Sequence, residues 1–311
     1  MGNCDAADGV VDGLIQNPAG CSFDPDSLVP QTLTQAQADA LEIFIRGVRD
    51  DRGRLLQPGS SVSDLSAPGA VGFIPWVELF PPVDPASAQP WGAAAPLAWR
   101  IADSTIRHVV VRDPDFNVNL DWPEADGVLT SEAARLFDRR TRLGDADQPE
   151  KLVPYLRRGH KVLLYHGYDD YAQTPYLTIR FYQELAEMFD GYRNVQKRAR
   201  LFMAPGRQHC GGGPGPNSFD TLTALENWVE HGIPPEGIIA TKYVNDNPAM
   251  GVARTMPLCK FPERASYDGL GDPRNAASWT CSSRDRSLLE VGPNGIQAGL
   301  GRGVHEREGR N

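Results

Sequence analysis

His209 is the residue best placed to act as a base. It lies in Leu201-Phe-Met-Ala-Pro-Gly-Arg-Gln-His-Cys-Gly-Gly-Gly-Pro-Gly-Pro216, where an apolar run that reads as a buried strand gives way to a glycine-rich loop. The segment Lys161-Val-Leu-Leu-Tyr-His-Gly-Tyr-Asp-Asp170 repeats that layout, ending in a polar turn that carries an acid. The acid therefore precedes the base in the chain. A carboxylate orienting an imidazole that deprotonates a hydroxyl is the arrangement of nucleophilic acyl transfer. Its third member, a serine on a sharp Gly-x-Ser-x-Gly-like turn, is not found between Met1 and Asp170. Ser22 in Ala19-Gly-Cys-Ser-Phe-Asp-Pro25 is a poor substitute, because no strand leads into it and Phe23 and Pro25 stand where a strained turn needs small residues. Cys210 is no better, since neighbouring side chains on a loop diverge and Cys210 cannot hand a proton to His209. His166 reads as a structural histidine at a strand end, with no chemistry assigned.

The elements around these residues follow from pattern. From Pro149 onward short apolar strands alternate with amphipathic helices, the signature of a mostly parallel sheet flanked by helices. Lys161–Tyr165 and Arg200–Ala204 are expected strands. Thr174-Pro175 supplies an N-cap and first-turn proline for a helix with Leu177, Phe181, Leu185 and Met188 on its apolar face. A further helix is expected from about Ser218 to Glu230, with Leu222, Leu225, Trp228 and Val229 inward and Gly232 as its C-terminal cap. Asp170 and His209 then fall on equivalent edges of the sheet, where ligands bind in open α/β folds. Acid before base is the α/β-hydrolase order. The expected fold class is accordingly α/β, an α/β-hydrolase fold that is incomplete in this chain.

Residues 1–148 read differently. One helix is clear from Thr34 to about Val48: Thr34 and Gln37 form a capping box, and Leu41, Phe44, Ile45 and Val48 recur at one-face spacing. The remainder is rich in Pro, Ala and Asp and reads as a loop-rich inserted lid. Its aromatics Trp76, Phe80, Trp91 and Trp122 could serve core or pocket equally. The boundaries expected are 1–148 for the lid, 149–281 for the C-terminal part of the hydrolase core, and 282–311 for a disordered tail without periodicity.

Composition narrows the partners. Net charge of −9 argues against nucleic acid, whose phosphates would be repelled. No segment reads as a membrane span, and Met1-Gly-Asn-Cys-Asp carries neither the basic nor the apolar region of a secretory signal. The five cysteines are Cys4, Cys21, Cys210, Cys259 and Cys281. Local bridges Cys4–Cys21 and Cys259–Cys281 look natural and would each add about 3 kcal/mol by restricting the unfolded chain. Five reduced thiols in a cytosolic protein is the alternative reading. Asp5, Asp8 and Asp12, interleaved with Gly9 and Gly13, gather hard oxygen donors in a short loop that could curl around one cation, calcium being the natural choice, or could be a solvated turn.

Taken together these residues resemble the tannase/feruloyl esterase family, which includes enzymes acting on aromatic diacid esters derived from polyester. The similarity runs from Asn3 to about Cys281. Its matching blocks are Cys4-Asp-Ala-Ala-Asp-Gly-Val-Val-Asp-Gly-Leu-Ile-Gln-Asn-Pro-Ala-Gly-Cys21, His166-Gly-Tyr-Asp-Asp170, Pro205-Gly-Arg-Gln-His-Cys-Gly-Gly-Gly213, and Arg254-Thr-Met-Pro-Leu-Cys259 with Cys281. In that family a Cys-Ser pair, an Asp and a His-Cys pair make the active site, and a disulfide ties the nucleophile loop to the histidine loop. The resemblance implies that Asp170, rather than its neighbour Asp169, orients His209. It further implies that Cys4 pairs with Cys21 and Cys259 with Cys281, and that the partner of Cys210 and the nucleophilic serine lie upstream of Met1. It also implies a structural Ca2+ held by side chains of Asp5, Asp8 and Asp12 and by carbonyls of Val10 and Leu14. The expectation is a serine esterase acting on a small aromatic ester of the ferulate or gallate type, from a secreted parent, with this chain alone nearly inert. A non-catalytic, calcium-stabilised secreted module is the alternative. Acyl and alcohol specificity and oligomeric state are not encoded legibly.

Overall fold

The computed structural model describes residues 4–21, 23–63, 84, 86–92, 95–142, 148–282, 289–292 and 295–298. Ser22, Trp76 and Phe80 lie outside the described residues. Helix α1 (Gln35–Arg46) begins at the expected capping box, with Thr34 Oγ1 accepting from Gln37 N and Gln37 Oε1 accepting from Thr34 N. It stops at Gly47, whose backbone lies so close to Gln57 O that a Cβ would sit 2.2 Å from it. The segment read as loop-rich contains more regular structure than expected. Strands β1 (Val48–Asp50), β2 (Leu55–Gln57), β3 (Glu124–Ala125) and β4 (Val128–Leu129) form a sheet in the order β2-β1-β4-β3, and helices α2 (Leu97–Thr105), α3 (Val118–Asp121) and α4 (Ser131–Thr141) lie among them. Strands of two or three residues are too short to show a period of two, so the pattern gave no sign of them. Trp122 belongs to the core here, packed with Val48 and Leu56 against Leu129, Ala133 and Ala134. Trp91 meets Trp99 edge to face, with centroids 5.5 Å apart.

Beyond the short helix α5 (Val153–Arg157), β5 (Val162–Gly167) and β6 (Ala199–Ala204) pair in parallel, from Val162 opposite Ala199 to Gly167 opposite Ala204. The crossover between them is helix α6 (Pro175–Glu187) followed by the turn α7 (Tyr192–Val195). All six residues of β6 are buried. Alternation divides them: Ala199, Leu201 and Met203 pack on Ile179, Tyr182 and Leu185 of α6, while Phe202 and Ala204 face Ile238, Ala240 and Leu258. β6 pairs with β5 in a two-stranded parallel sheet and bridges through Phe202 to Lys260 on its other edge, and its burial on both faces is what a strand covered from both sides requires.

The buried face of α6 keeps Leu185 of the expected stripe but is otherwise rotated from it. Tyr176, Ile179, Tyr182, Gln183, Leu185 and Ala186 are inside, whereas Met188 is exposed and Leu177 and Phe181 are half-buried. Two apolar stripes competed, and the tyrosine stripe won because the Tyr182 hydroxyl donates to Ala199 O at 2.9 Å, satisfying its polar end. Thr174 and Pro175 take the expected N-cap and first-turn positions, but the Thr174 hydroxyl makes no capping bond and donates to Gly59 O at 2.6 Å instead. Helix α8 (Thr221–Glu230), capped by Asp220, buries Trp228 but leaves Leu222 65% and Val229 60% exposed.

Strands β7 (Gly237–Tyr243) and β8 (Val252–Cys259) form an antiparallel hairpin, joined to β6 where Phe261 N donates to Leu201 O at 2.7 Å. Strands β9 (Arg264–Tyr267) and β10 (Trp279–Ser282) pair beyond it. Both local disulfides, Cys4–Cys21 and Cys259–Cys281, are formed. Within 282–311, read as a structureless tail, Leu289–Gly292 pairs antiparallel with Gly295–Ala298. Gly292-Pro-Asn-Gly295 is a turn signal that the segment's overall composition masks. No helix among the described residues is long and apolar enough to cross a membrane.

Candidate active site

Asp170 and His209 stand on the loops that follow β5 and β6. Because the two strands are hydrogen-bonded neighbours, their carboxyl ends deliver the loops side by side. The ladder continues past the strands: Tyr168 N donates to Ala204 O at 2.9 Å and Asp169 N to Arg207 O at 3.1 Å. Gly167 permits this approach, since a Cβ there would lie 2.1 Å from Arg207 O. On the base loop, Gly206 has φ of +70° and Gly213 of +88°, and a Cβ on Gly213 would lie 2.2 Å from Gly206 O. The glycine run is therefore what folds the loop back on itself.

His209 Nδ1 donates to Asp170 at 3.0 Å from Oδ2 and 3.1 Å from Oδ1. With that nitrogen carrying the hydrogen, Nε2 keeps its lone pair, and the side chain is 42% exposed, so the base faces outward. Asp170 is buried, and its Oδ1 accepts from Ala172 N at 2.9 Å and Gln173 N at 2.8 Å. Burial alone would raise its pKa. Hydrogen bonds from His166, His209 and the Gln173 amide outweigh burial and hold the carboxyl below the usual carboxylate range. An anionic acid locked on an outward-facing imidazole can orient a base and stabilise the imidazolium it becomes. Asp169 points elsewhere, accepting from the Ser63 hydroxyl at 2.6 Å.

His166, to which the sequence gave no role, lies within this group, with Nε2 3.0 Å from Asp170 Oδ2. The four-residue spacing to Asp170 was the signal, legible only once the chain turns after the strand. Cys210 is exposed and free, next to the base. Arg207 lies over the rings of Tyr165 and Phe219, 5.4 and 5.6 Å from their centroids, and braces the loop from the sheet side.

The acidic loop is seated near the same place. Leu14 is buried with Met256, Cys259, Ala265 and Trp279, and a Cβ on Gly206 would come 2.5 Å from Leu14 Cδ2. All three acids accept from backbone: Asp5 Oδ1 from Asp12 N and Gly13 N with Oδ2 sharing the Gly13 N–H, Asp8 Oδ1 from Val10 N, and Asp12 Oδ1 from Leu14 N. Asp12 Oδ2 lies 2.8 Å from Arg254 Nη1, an ion pair rather than an aligned hydrogen bond. Asp8 Oδ2 is buried without a hydrogen-bond partner among the described residues. Burial, with lesser contributions from Asp12 and Asp5, pushes the Asp8 carboxyl up to about 6. Among the described residues no three His, Cys, Asp or Glu side chains converge to hold a metal ion, so a cation here needs backbone carbonyls as well. The donor chemistry, hard oxygens with one orphaned buried carboxylate atom, fits such an ion.

Known proteins share this arrangement of sequence and fold. A family model described as tannase and feruloyl esterase matches residues 1–282. An uncharacterized esterase of Xanthomonas campestris pv. campestris is 29% identical, the match covering 94% of this chain and 55% of that protein. The mono(2-hydroxyethyl) terephthalate hydrolase of Piscinibacter sakaiensis is 28% identical, over 91% of this chain and 50% of that protein. The crystal structure of feruloyl esterase B from Aspergillus oryzae superposes with a TM-score of 0.64 at 22% identity, over 90% of this chain and 54% of that one. The chain thus has the fold of half of such a structure and spans about half the length of the relatives it matches.

Proposed function

The chain belongs to the tannase and feruloyl esterase family, and from that premise we propose that it carries the acid and base of a serine carboxylesterase acting on small esters of aromatic acids. The observation that carries this reading is the Asp170–His209 hydrogen bond at the ends of two adjacent parallel strands. His209 Nε2 takes the proton of a serine hydroxyl supplied by sequence outside this chain and returns it to the leaving alcohol. Asp170 holds the imidazole tautomer and stays ionised throughout. The tannase and feruloyl esterase description of the family and the terephthalate hydrolase among the relatives support an aromatic acyl group. Residues 149–281 are the C-terminal part of the hydrolase core and 1–148 the lid, and the two disulfides suit an extracellular parent. The loop of Asp5, Asp8, Val10, Asp12 and Leu14 holds calcium, which would neutralise the buried carboxylates and firm the support beneath Gly206 without entering the hydrolysis.

Hydrolysis of methyl ferulate, methyl gallate and a short nitrophenyl ester should be compared for this chain and for a version extended upstream to an in-frame Cys-Ser motif. Activity confined to the extended form and lost in His209→Ala is the expected outcome. Activity of the short chain alone would overturn the assignment of the nucleophile, and inactivity of both would favour a non-catalytic remnant.

A further inference from the structure

His166 is tied to three elements at once. It sits near the end of β5, its Nε2 lies 3.0 Å from both Asp170 Oδ2 and Gln173 O, and its Nδ1 lies 2.7 Å from Thr178 Oγ1 on α6. A carboxylate oxygen and a backbone carbonyl only accept, so Nε2 must carry the hydrogen. The Thr178 hydroxyl can then donate to Nδ1, which satisfies a neutral imidazole at both nitrogens. Asp170 Oδ2 is in this way shared by two histidines, one facing outward and the other, only 15% exposed, anchored to the scaffold.

We propose that His166 is a positioning residue for the acid of this site: a fixed N–H donor that takes part of the Asp170 charge and sets how much of it reaches His209. The inference rests on reading Asp170 and His209 as acid and base. The two backbone amides on Oδ1 fix the other oxygen, so the donors around Asp170 comprise Ala172 N, Gln173 N, His166 and His209. Of the other charged groups nearby, Asp169 is engaged with Ser63, and Arg207 packs over Tyr165 and Phe219. Without the His166 donor, His209 is left as the one side-chain donor beside the Ala172 and Gln173 amides, and the less-compensated carboxylate binds its proton more tightly. A histidine that merely filled space would leave that affinity unchanged.

The test is a titration of the His209 ring by NMR in this chain, which needs no turnover. In His166→Phe, which keeps a ring but no donor, the His209 midpoint should rise by roughly half a pH unit, about threefold in proton affinity. His166→Gln, whose amide can place an N–H near the Nε2 position, should restore the wild-type midpoint. An unchanged or lowered midpoint in His166→Phe overturns the proposal. Should that variant fail to fold, Thr178→Val removes the hydroxyl that holds the imidazole and should move the midpoint in the same direction; no movement overturns the proposal equally. Asp170→Asn separates the two levels: if it leaves the His209 midpoint unmoved, the acid–base pair itself is misread, whereas a clear fall there with no response to His166→Phe rejects only the role of His166.

Discussion

Asp8 offers a stability test that runs against ordinary expectation for a buried hydrogen-bonded aspartate. Its Oδ1 receives the Val10 amide, but Oδ2 is buried with no partner among the described residues, and Asp5 and Asp12 add repulsion. The carboxyl is therefore pushed from 3.8 to about 6 in the folded state. A folded value above the unfolded one means the native state binds the extra proton. Stability from this group is present in full below about pH 4 and is lost as pH rises through about 6. The nominal cost of ionisation at pH 7.5 is about 3 kcal/mol, and solvent reaching the half-buried group reduces this to about 1–2 kcal/mol. Asp8→Asn keeps the acceptor for Val10 and removes the charge. In buffer with a chelator it should raise the unfolding free energy by that amount at pH 7.5 and by almost nothing at pH 4. With millimolar calcium the order should reverse, because the wild-type anion gains a counter-ion that the amide cannot hold as well. Urea denaturation at both pH values, with and without calcium, reads all four conditions. A destabilised Asp8→Asn in chelator at pH 7.5 would refute the electrostatic account of this loop, and a calcium-independent gain would refute the ion.

Other outcomes follow from the same structure. Cys259→Ser with Cys281→Ser opens a loop with a sequence separation of 22 and should lower stability by about 3 kcal/mol, seen as a lower urea midpoint. Tyr182→Phe leaves Ala199 O without its hydroxyl donor and should cost about 1–2 kcal/mol in the same assay. Gly167→Ala forces a Cβ onto Arg207 O and should push the two loops apart, which would appear as loss of the His209 response to Asp170→Asn in the ring titration. One thiol, Cys210, should react with a maleimide in the native chain; two or more would mean an open disulfide.

What the sequence revealed and what it hid divide along the range of the interaction. The Thr34–Gln37 capping box is a local exchange of hydrogen bonds and was legible in full. So was the placing of Asp170 and His209 at the ends of consecutive strands, since two apolar runs each ending in a polar turn suffice for that. The resemblance to known esterases supplied the choice of Asp170 over Asp169, and the structure engages Asp169 with Ser63, a residue more than a hundred positions away in the chain. The buried face of α6 is not legible because tyrosines are polar at one end, and only tertiary partners, the Ala199 carbonyl for Tyr182 and Ser61 for Tyr176, let them go inside. The exposed Leu222 and Val229 show the opposite error, a regular stripe with little packed against it among the described residues. The role of His166 is not legible in sequence because its partners Asp170, Gln173 and Thr178 lie on a turn and a helix that only folding brings around it.

The backbone bonds from Tyr168 to Ala204 and from Asp169 to Arg207 have a dynamic consequence. They tie the acid loop to the last residue of β6 and to the base loop beyond it, so a displacement of one is transmitted to the other. Thermal breathing of the sheet edge then moves Asp170 and His209 together, and the distance between them fluctuates less than the distance from either to groups outside the two loops. Loss of alignment on warming should accordingly begin between this pair and its surroundings, while the imidazole still keeps its carboxylate.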